Sequence, residues 1–128
     1  MQNHEKGKRV NFANGAILID QGDSPTNAYL IVEGKVEVRS GKFGDGSEVL
    51  AICERGDMVG ELALIENRPH LSCVVALEDT VVRQISAQEF NDRLNKTDTV
   101  MQRVIHMLAR RLRETSHSKA EDANSSPI

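Results

Sequence analysis

The sequence predicts a small, mainly β domain, an antiparallel sandwich or barrel, followed by two helices. Between Val10 and Ile85, short apolar runs alternate with glycine-containing turns at a spacing typical of about seven strands. From Ser86 onward the apolar residues recur at helical spacing instead. The length of 128 residues and the apolar content of 39% fit one domain with a single modest core.

Turn residues delimit the strands. We predict strands within the ranges 16–20, 28–38, 48–53, 72–77 and 81–86. Glu33-Gly34 interrupts the second range and predicts a hairpin there. The glycine-rich segment 41–47 predicts the next turn. Because only 3% of the residues are aromatic, Val, Leu and Ile have to fill the core.

The helical region begins at a capping signal. Ser86 followed by Glu89 fits a capping box and predicts a helix to about Leu94. A second helix is predicted to start near Thr97 or Asp98. Its apolar stripe would pack on the β domain or pair with a second copy, and it consists of Val100, Met101, Val104, Ile105, Leu108 and Leu112. We place the end of the domain at residue 117 and predict a disordered polar tail over 118–128.

Composition and charge exclude several classes of function. The net charge of -3 gives no general attraction to nucleic acid or to anionic membranes, so no membrane partner is expected. No apolar run reaches the ~18 residues that a membrane helix needs, and the N-terminus does not resemble a signal peptide. These features predict a cytoplasmic protein in which Cys53 and Cys73 are buried thiols rather than a disulfide.

The histidines and the basic residues of the chain do not indicate a catalytic site. The four histidines, His4, His70, His106 and His117, do not form a metal-binding pattern. No catalytic arrangement and no metal site are therefore predicted. Basic residues near a helix C-terminus complement the helix dipole, so we expect a solvated face formed by Arg103, Arg110, Arg111 and Arg113.

Residues 56–73, GDMVGELALIENRPHLSC, carry the strongest candidate site and are called the cassette here. The unpaired N–H groups that open a helical turn favour an anion, and Gly60 allows a ligand to approach them. Glu61 could accept a hydrogen bond from a hydroxyl, so a phosphate beside a ribose would satisfy both residues. A tight turn with a solvated Glu61 accounts for the same residues.

Several separated motifs between residues 9 and 115 resemble the cyclic nucleotide-binding domain family, which is found in cAMP-dependent kinase regulatory subunits, catabolite-activator-type regulators and cyclic nucleotide-gated channels. They are GAILIDQGD, AYLIVEGKVEV, GDMVGELALIENRP and LARRLRE, in the family's order. The resemblance implies an eight-stranded antiparallel jelly roll (double-stranded β-helix) with flanking N- and C-terminal helices. It also implies a regulatory module, not an enzyme, whose ligand is cAMP or cGMP, cAMP being the first choice.

The resemblance assigns roles within the cassette. In the family, backbone N–H groups meet the cyclic phosphate, and by position these fall on Gly60, Leu62 and Ala63. Glu61 falls where the family's glutamate takes the ribose 2′-hydroxyl. Further hydroxyl or amide contacts fall near the end of the cassette, at Leu71, Ser72 and Cys73.

The cassette departs from the family pattern at His70. The family continues Pro-Arg-Ala, whereas this chain has Pro69-His70-Leu71. The arginine supplies a fixed charge and a two-pronged donor, while an imidazole of ordinary pKa ~6.5 is largely neutral at pH 7 unless a bound phosphate raises it.

Three hypotheses therefore stay open for the cassette. In the first, His70 binds the phosphate weakly with help from Arg68. In the second, the site has lost nucleotide binding and the fold serves as a protein-interaction scaffold. In the third, it takes another small anion or an apolar effector.

The resemblance also bears on partners. The family's last helix is often a dimer contact and a lid over the base, which implies a homodimer through the C-terminal helix and a partner protein that reads the ligand-bound state. Catabolite-activator-type regulators carry a helix-turn-helix after this helix. Only residues 114–128 follow it here, so no direct DNA binding by this chain is expected.

Overall fold

The structure is a computed structural model that describes residues 7–44 and 46–125, with side chains described to residue 114. Eight strands and three helices lie in this part of the chain. The strands are β1 (Lys8–Phe12), β2 (Ile17–Ile19), β3 (Asn27–Glu33), β4 (Lys35–Ser40), β5 (Val49–Glu54), β6 (Met58–Val59), β7 (Ser72–Ala76) and β8 (Thr80–Ser86). The helices are α1 (Glu61–Glu66), α2 (Ala87–Asn95) and α3 (Thr99–Ser125).

The eight strands form two four-stranded sheets. One sheet has the order β1-β8-β3-β6 and the other β2-β7-β4-β5. All neighbouring strands are antiparallel. This arrangement confirms the mainly β, eight-stranded jelly-roll fold that the resemblance implied. The implied N-terminal helix would fall on residues 1–6, which lie outside the described residues.

The predicted hairpin at Glu33-Gly34 is wrong, because β3 and β4 belong to different sheets. Gly34 instead carries the chain from one sheet to the other with φ 107°. A Cβ at Gly34 would lie 2.5 Å from Thr80 Oγ1 and 2.7 Å from the Asp79 carbonyl oxygen. The same glycine signal thus marks a close crossing rather than a turn between paired strands.

The core lies between the two sheets and is built mainly from aliphatic side chains, as the low aromatic content predicts. Its buried members are Leu18, Ile19, Tyr29, Ile31, Val36, Val59, Val74, Ala76 and Val82. Phe12 packs edge-on against Tyr29, with ring centroids 5.8 Å apart. Both cysteines are free thiols, and the predicted burial holds for Cys73, whereas Cys53 is only half-buried.

The helix starts follow the sequence signals. The Ser86 hydroxyl accepts a hydrogen bond from the Glu89 N–H at 3.1 Å, which confirms Ser86 as the N-cap of α2. At the start of α3, the Asp98 carboxylate accepts one from the Met101 N–H at 3.2 Å. Helix α3 runs past residue 117, and the division of the chain at that residue stays a prediction.

The apolar stripe of α3 is only partly covered. Val104 and Ile105 are half-buried, whereas the exposed fractions of Met101, Leu108 and Leu112 are 48%, 49% and 58%. Packing on the β domain therefore accounts for only part of the stripe. None of the helices in the described ranges has the length and apolar content needed to cross a bilayer.

Candidate functional site

The cassette helix α1 opens at Gly60, directly after β6. Gly60 is left-handed, with φ 86°, and no side chain caps the helix. A Cβ at this position would lie 2.8 Å from Ile19 Cδ1 and 3.2 Å from His70 Cε1. Glycine is therefore required here both by the backbone conformation and by the close approach of two side chains.

A cavity of about 180 Å³ lies beside the start of α1. The predicted site residues on its wall are Gly60, Glu61, Leu62, Ala63, His70, Leu71 and Ser72. Two predicted site residues are not on this wall. Arg68 is exposed at the end of α1, where its backbone N–H donates to the Ala63 carbonyl oxygen at 3.1 Å, and Cys73 is buried within β7. The site residues named from the sequence remain predictions as ligand contacts.

Glu61 is half-buried on the cavity wall. Burial raises the pKa of its carboxyl group, because the charged form loses water, and a backbone hydrogen bond within the same residue opposes this shift. A partly desolvated carboxylate beside a cavity is a good acceptor for a ligand hydroxyl. The alternative of a fully solvated Glu61 does not describe this arrangement.

His70 is the most enclosed polar group of the cassette, with 7% of its surface exposed. Its backbone is held by the loop before β3: its N–H donates to the Asp23 carbonyl oxygen at 3.0 Å, and its carbonyl oxygen accepts from the Gly22 N–H at 2.9 Å. Burial lowers the pKa of the imidazole, Asp23 opposes this effect and Arg113 reinforces it. The structure thus favours a neutral His70 in the unliganded domain.

Arg113 of α3 completes the cavity wall. Its Nε donates to Glu66 Oε1 of α1 at 2.5 Å, and the two side chains are 13% and 15% exposed. The predicted solvated basic face is therefore wrong for Arg113, which is half-buried, and correct for Arg103, Arg110 and Arg111, which are exposed.

No local sequence signal predicts that Arg113 lies on the cavity wall. Arg110, Arg111 and Arg113 lie within one helical turn of each other, and only the way α3 docks on α1 decides which of them faces the cavity.

Comparison with known proteins identifies the family of this domain. The sequence profile of the cyclic nucleotide-binding domain family matches residues 9–97. The chain belongs to this family. It is also similar to the Pycsar effector protein XpPycTIR of Xanthomonas perforans, with 38% identity over 112 residues, which cover 87% of this chain and 35% of the effector.

Solved structures resemble this cyclic nucleotide-binding domain closely. The EAL enzyme Bd1971 in its cAMP- and cyclic-di-GMP-bound form has a TM-score of 0.80 and 29% identity, over 88% of this chain and 30% of the enzyme. The catabolite activator protein of Thermus thermophilus has a TM-score of 0.70 and 27% identity, over 88% of this chain and 53% of that protein. The domain spans 35% or less of the Xanthomonas effector and of the kinase regulatory subunits that it matches.

Metal-ligating side chains are not clustered in the described part of the domain. Within residues 7–44 and 46–114, no three or more His, Cys, Asp or Glu side chains are grouped so that they could hold a metal ion. The free thiol of Cys53 lies on the cavity wall, but burial and the nearby Asp57 and Glu61 carboxylates raise its pKa. A raised pKa keeps this thiol protonated near neutral pH, where it is a weak nucleophile.

Proposed function

We propose that this domain is a non-catalytic regulatory module that binds a 3′,5′-cyclic nucleotide, cAMP before cGMP, in the cavity beside α1. Glu61 would accept the ribose 2′-hydroxyl, and the backbone N–H groups of Gly60, Leu62 and Ala63 would face the cyclic phosphate. The observation that carries this proposal is that the half-buried Glu61 and the opening of α1 border one cavity with His70.

The similar structures support this choice of ligand. The EAL enzyme Bd1971 has been solved with cAMP and with cGMP. The match to the cAMP-bound form covers 84% of this chain, and the match to the cGMP-bound form covers 91%. Apart from Arg113, the residues that border the cavity lie within residues 9–97, the part of the chain that matches the family, and this supports a ligand of the family's class.

The output of binding would pass through α3. This helix borders the cavity and contacts α1, so a ligand that prefers one arrangement of α1 and α3 would shift the equilibrium by that preference. We propose that a partner protein or an attached domain reads this shift. The exposed apolar residues of α3 would pair with a second copy, and the two free thiols suit the reducing cytoplasm.

Isothermal titration calorimetry of the domain with cAMP, cGMP, cCMP and cUMP tests the ligand class directly. We expect saturable binding of one nucleotide per chain and a rise in melting temperature at saturation. The matched variant Glu61→Ala should lose most of the affinity while keeping the fold. Absence of both heat and a melting shift up to about 1 mM nucleotide, which corresponds to about −4 kcal/mol, would reject the proposal.

A second candidate function, a scaffold that has lost nucleotide binding, is favoured by a neutral His70 and by Leu71 on the cavity wall. His70→Arg separates the two. If the cavity is otherwise competent, the new guanidinium should tighten cAMP binding by roughly tenfold or more. A correctly folded variant without any gain favours the scaffold.

A further inference from the structure

The cavity poses a charge problem for the ligand proposed above. A cyclic phosphate is an anion. The ionisable cassette residues on the cavity wall are Glu61, which is acidic, and His70, which is buried, so neither supplies a fixed positive charge. An anion in a half-enclosed site needs a compensating charge, because it loses part of its hydration on entry. Arg113 is the only lysine or arginine among the described residues that line the cavity, so it is the residue that can supply this charge.

Arg113 is also held in place before any ligand arrives. Its Nε–H donates a hydrogen bond to Glu66 Oε1 at 2.5 Å, and both side chains are largely buried. A guanidinium has five N–H donors in a rigid plane, so a bond at Nε leaves the two terminal nitrogens for another acceptor. A side chain fixed in this way loses little entropy when it binds an anion.

We propose that Arg113 of α3 supplies the fixed positive charge for the ligand's phosphate, in place of the arginine that the cassette lacks at His70, with Glu66 as its positioning residue. The inference rests on the proposed function. It has a regulatory consequence, since the phosphate would then contact α1 through its backbone and α3 through Arg113. Binding and the docking of α3 on α1 would be coupled, each strengthening the other.

Calorimetric titration with cAMP tests the role of Arg113. Arg113→Gln should weaken binding by about tenfold or more, because a charged partner in a largely buried site is lost. Arg103→Gln is the matched control, since it makes the same change at an exposed position of the same helix. It should bind within about threefold of the parent.

Two further variants separate a charge role from a merely structural one. Glu66→Gln breaks the same ion pair but leaves the Arg113 charge and an oxygen acceptor, so its affinity should stay well above that of Arg113→Gln. Adding His70→Arg to Arg113→Gln should restore much of the lost affinity, since it returns a guanidinium to the cavity wall. Circular dichroism melts verify that each variant is folded.

The outcomes are distinct for the two proposals. If the parent chain binds cAMP and Arg113→Gln binds equally well, the charge role of Arg113 is rejected while the sensor function stands. The charge role is also rejected if Glu66→Gln and Arg113→Gln lose equal affinity for cAMP and His70→Arg does not restore it. In that case Arg113 acts only in the docking of α3 on α1. If the parent binds none of the four nucleotides, the proposed function falls and this inference falls with it.

Discussion

Gly60 and Ile19 approach so closely that a Cβ on Gly60 would lie 2.8 Å from Ile19 Cδ1. The contact joins the opening of α1 to β2 of the core, and it leaves His70 Cε1 only 3.2 Å from the same point. The geometry of the cassette therefore requires glycine, which has no side chain, at position 60.

Replacing Gly60 with alanine should destabilise the domain and weaken ligand binding. The left-handed backbone costs a non-glycine residue about 1–2 kcal/mol, and overpacking against Ile19 and His70 adds on the order of 1–3 kcal/mol. Gly56→Ala is the control, because Gly56 has φ 92° with no atom within 4 Å of the added Cβ. Chemical denaturation measures both variants, and equal losses of unfolding free energy would show that the Ile19 contact is unimportant.

Glu61→Gln should separate stability from function. Burial raises the pKa of Glu61 above its unfolded value, so ionisation of this group penalises the folded state. The stability contributed by the protonated form is fully present below about pH 4.5 and is lost as pH rises through the higher folded pKa. We therefore expect the variant to be more stable than the parent at pH 7, with an advantage that shrinks toward pH 4.5.

The same variant should bind cyclic nucleotide more weakly. A hydrogen bond to a charged group contributes about 1.5–3 kcal/mol, which corresponds to roughly a tenfold to hundredfold loss of affinity. Denaturation curves at several pH values and calorimetry at pH 7 provide the two measurements. A variant that is less stable at pH 7, or that binds as tightly as the parent, contradicts this assignment of Glu61.

The unliganded domain should lose stability in mild acid through His70. Burial lowers the folded pKa of this imidazole below its unfolded value of ~6.5, with Arg113 acting in the same direction and Asp23 against it. The contribution of neutral His70 is present above pH 6.5 and is lost as pH falls through the folded pKa.

His70→Gln should therefore remove part of the decline in unfolding free energy below pH 6.5. One group can account for at most about 1.4 kcal/mol per pH unit. His106→Gln makes the same change at an exposed position of α3 and is the matched control. If both variants follow the parent between pH 7 and pH 5, His70 is not the group that titrates.

The exposed stripe of α3 should mediate pairing of two chains. Met101, Leu108 and Leu112 are spaced seven and four residues apart, as on one seam of paired helices, and each is more than 40% exposed. The double variant Leu108→Glu, Leu112→Glu should shift the chain from dimer to monomer in sedimentation velocity. Arg103→Glu changes the net charge by the same amount outside the stripe and should remain dimeric. A parent chain that sediments as a monomer at every concentration contradicts the prediction.

The cassette could be predicted from sequence because its signals are local. Gly60 and Glu61 are neighbours, and the start of a helical turn is set by the residues that form it. Ser86 was predictable for the same reason, since an N-cap hydroxyl bonds to an N–H only three residues away. Six of the eight strands lie in the ranges predicted from apolar runs, whereas β1 and the two-residue strand β6 were not predicted.

Sheet assignment could not be predicted in the same way. A glycine with positive φ serves a hairpin turn and a crossing between sheets equally well, and Gly34 makes the crossing. Gly34 lies against Thr80, which comes from a distant part of the chain, so the residues around Gly34 do not by themselves distinguish the two.

The strand-rich body, the caps of the last two helices and the Gly60-Glu61 opening of α1 follow from local sequence, because each depends on backbone preferences of adjacent residues. The half-burial of Glu61 and the position of Arg113 at the cavity follow instead from the packing of distant elements. Arg113 meets Glu66 across 47 positions of sequence. Contacts of this kind depend on how whole elements dock, since burial and charge proximity arise from residues that no local pattern brings together.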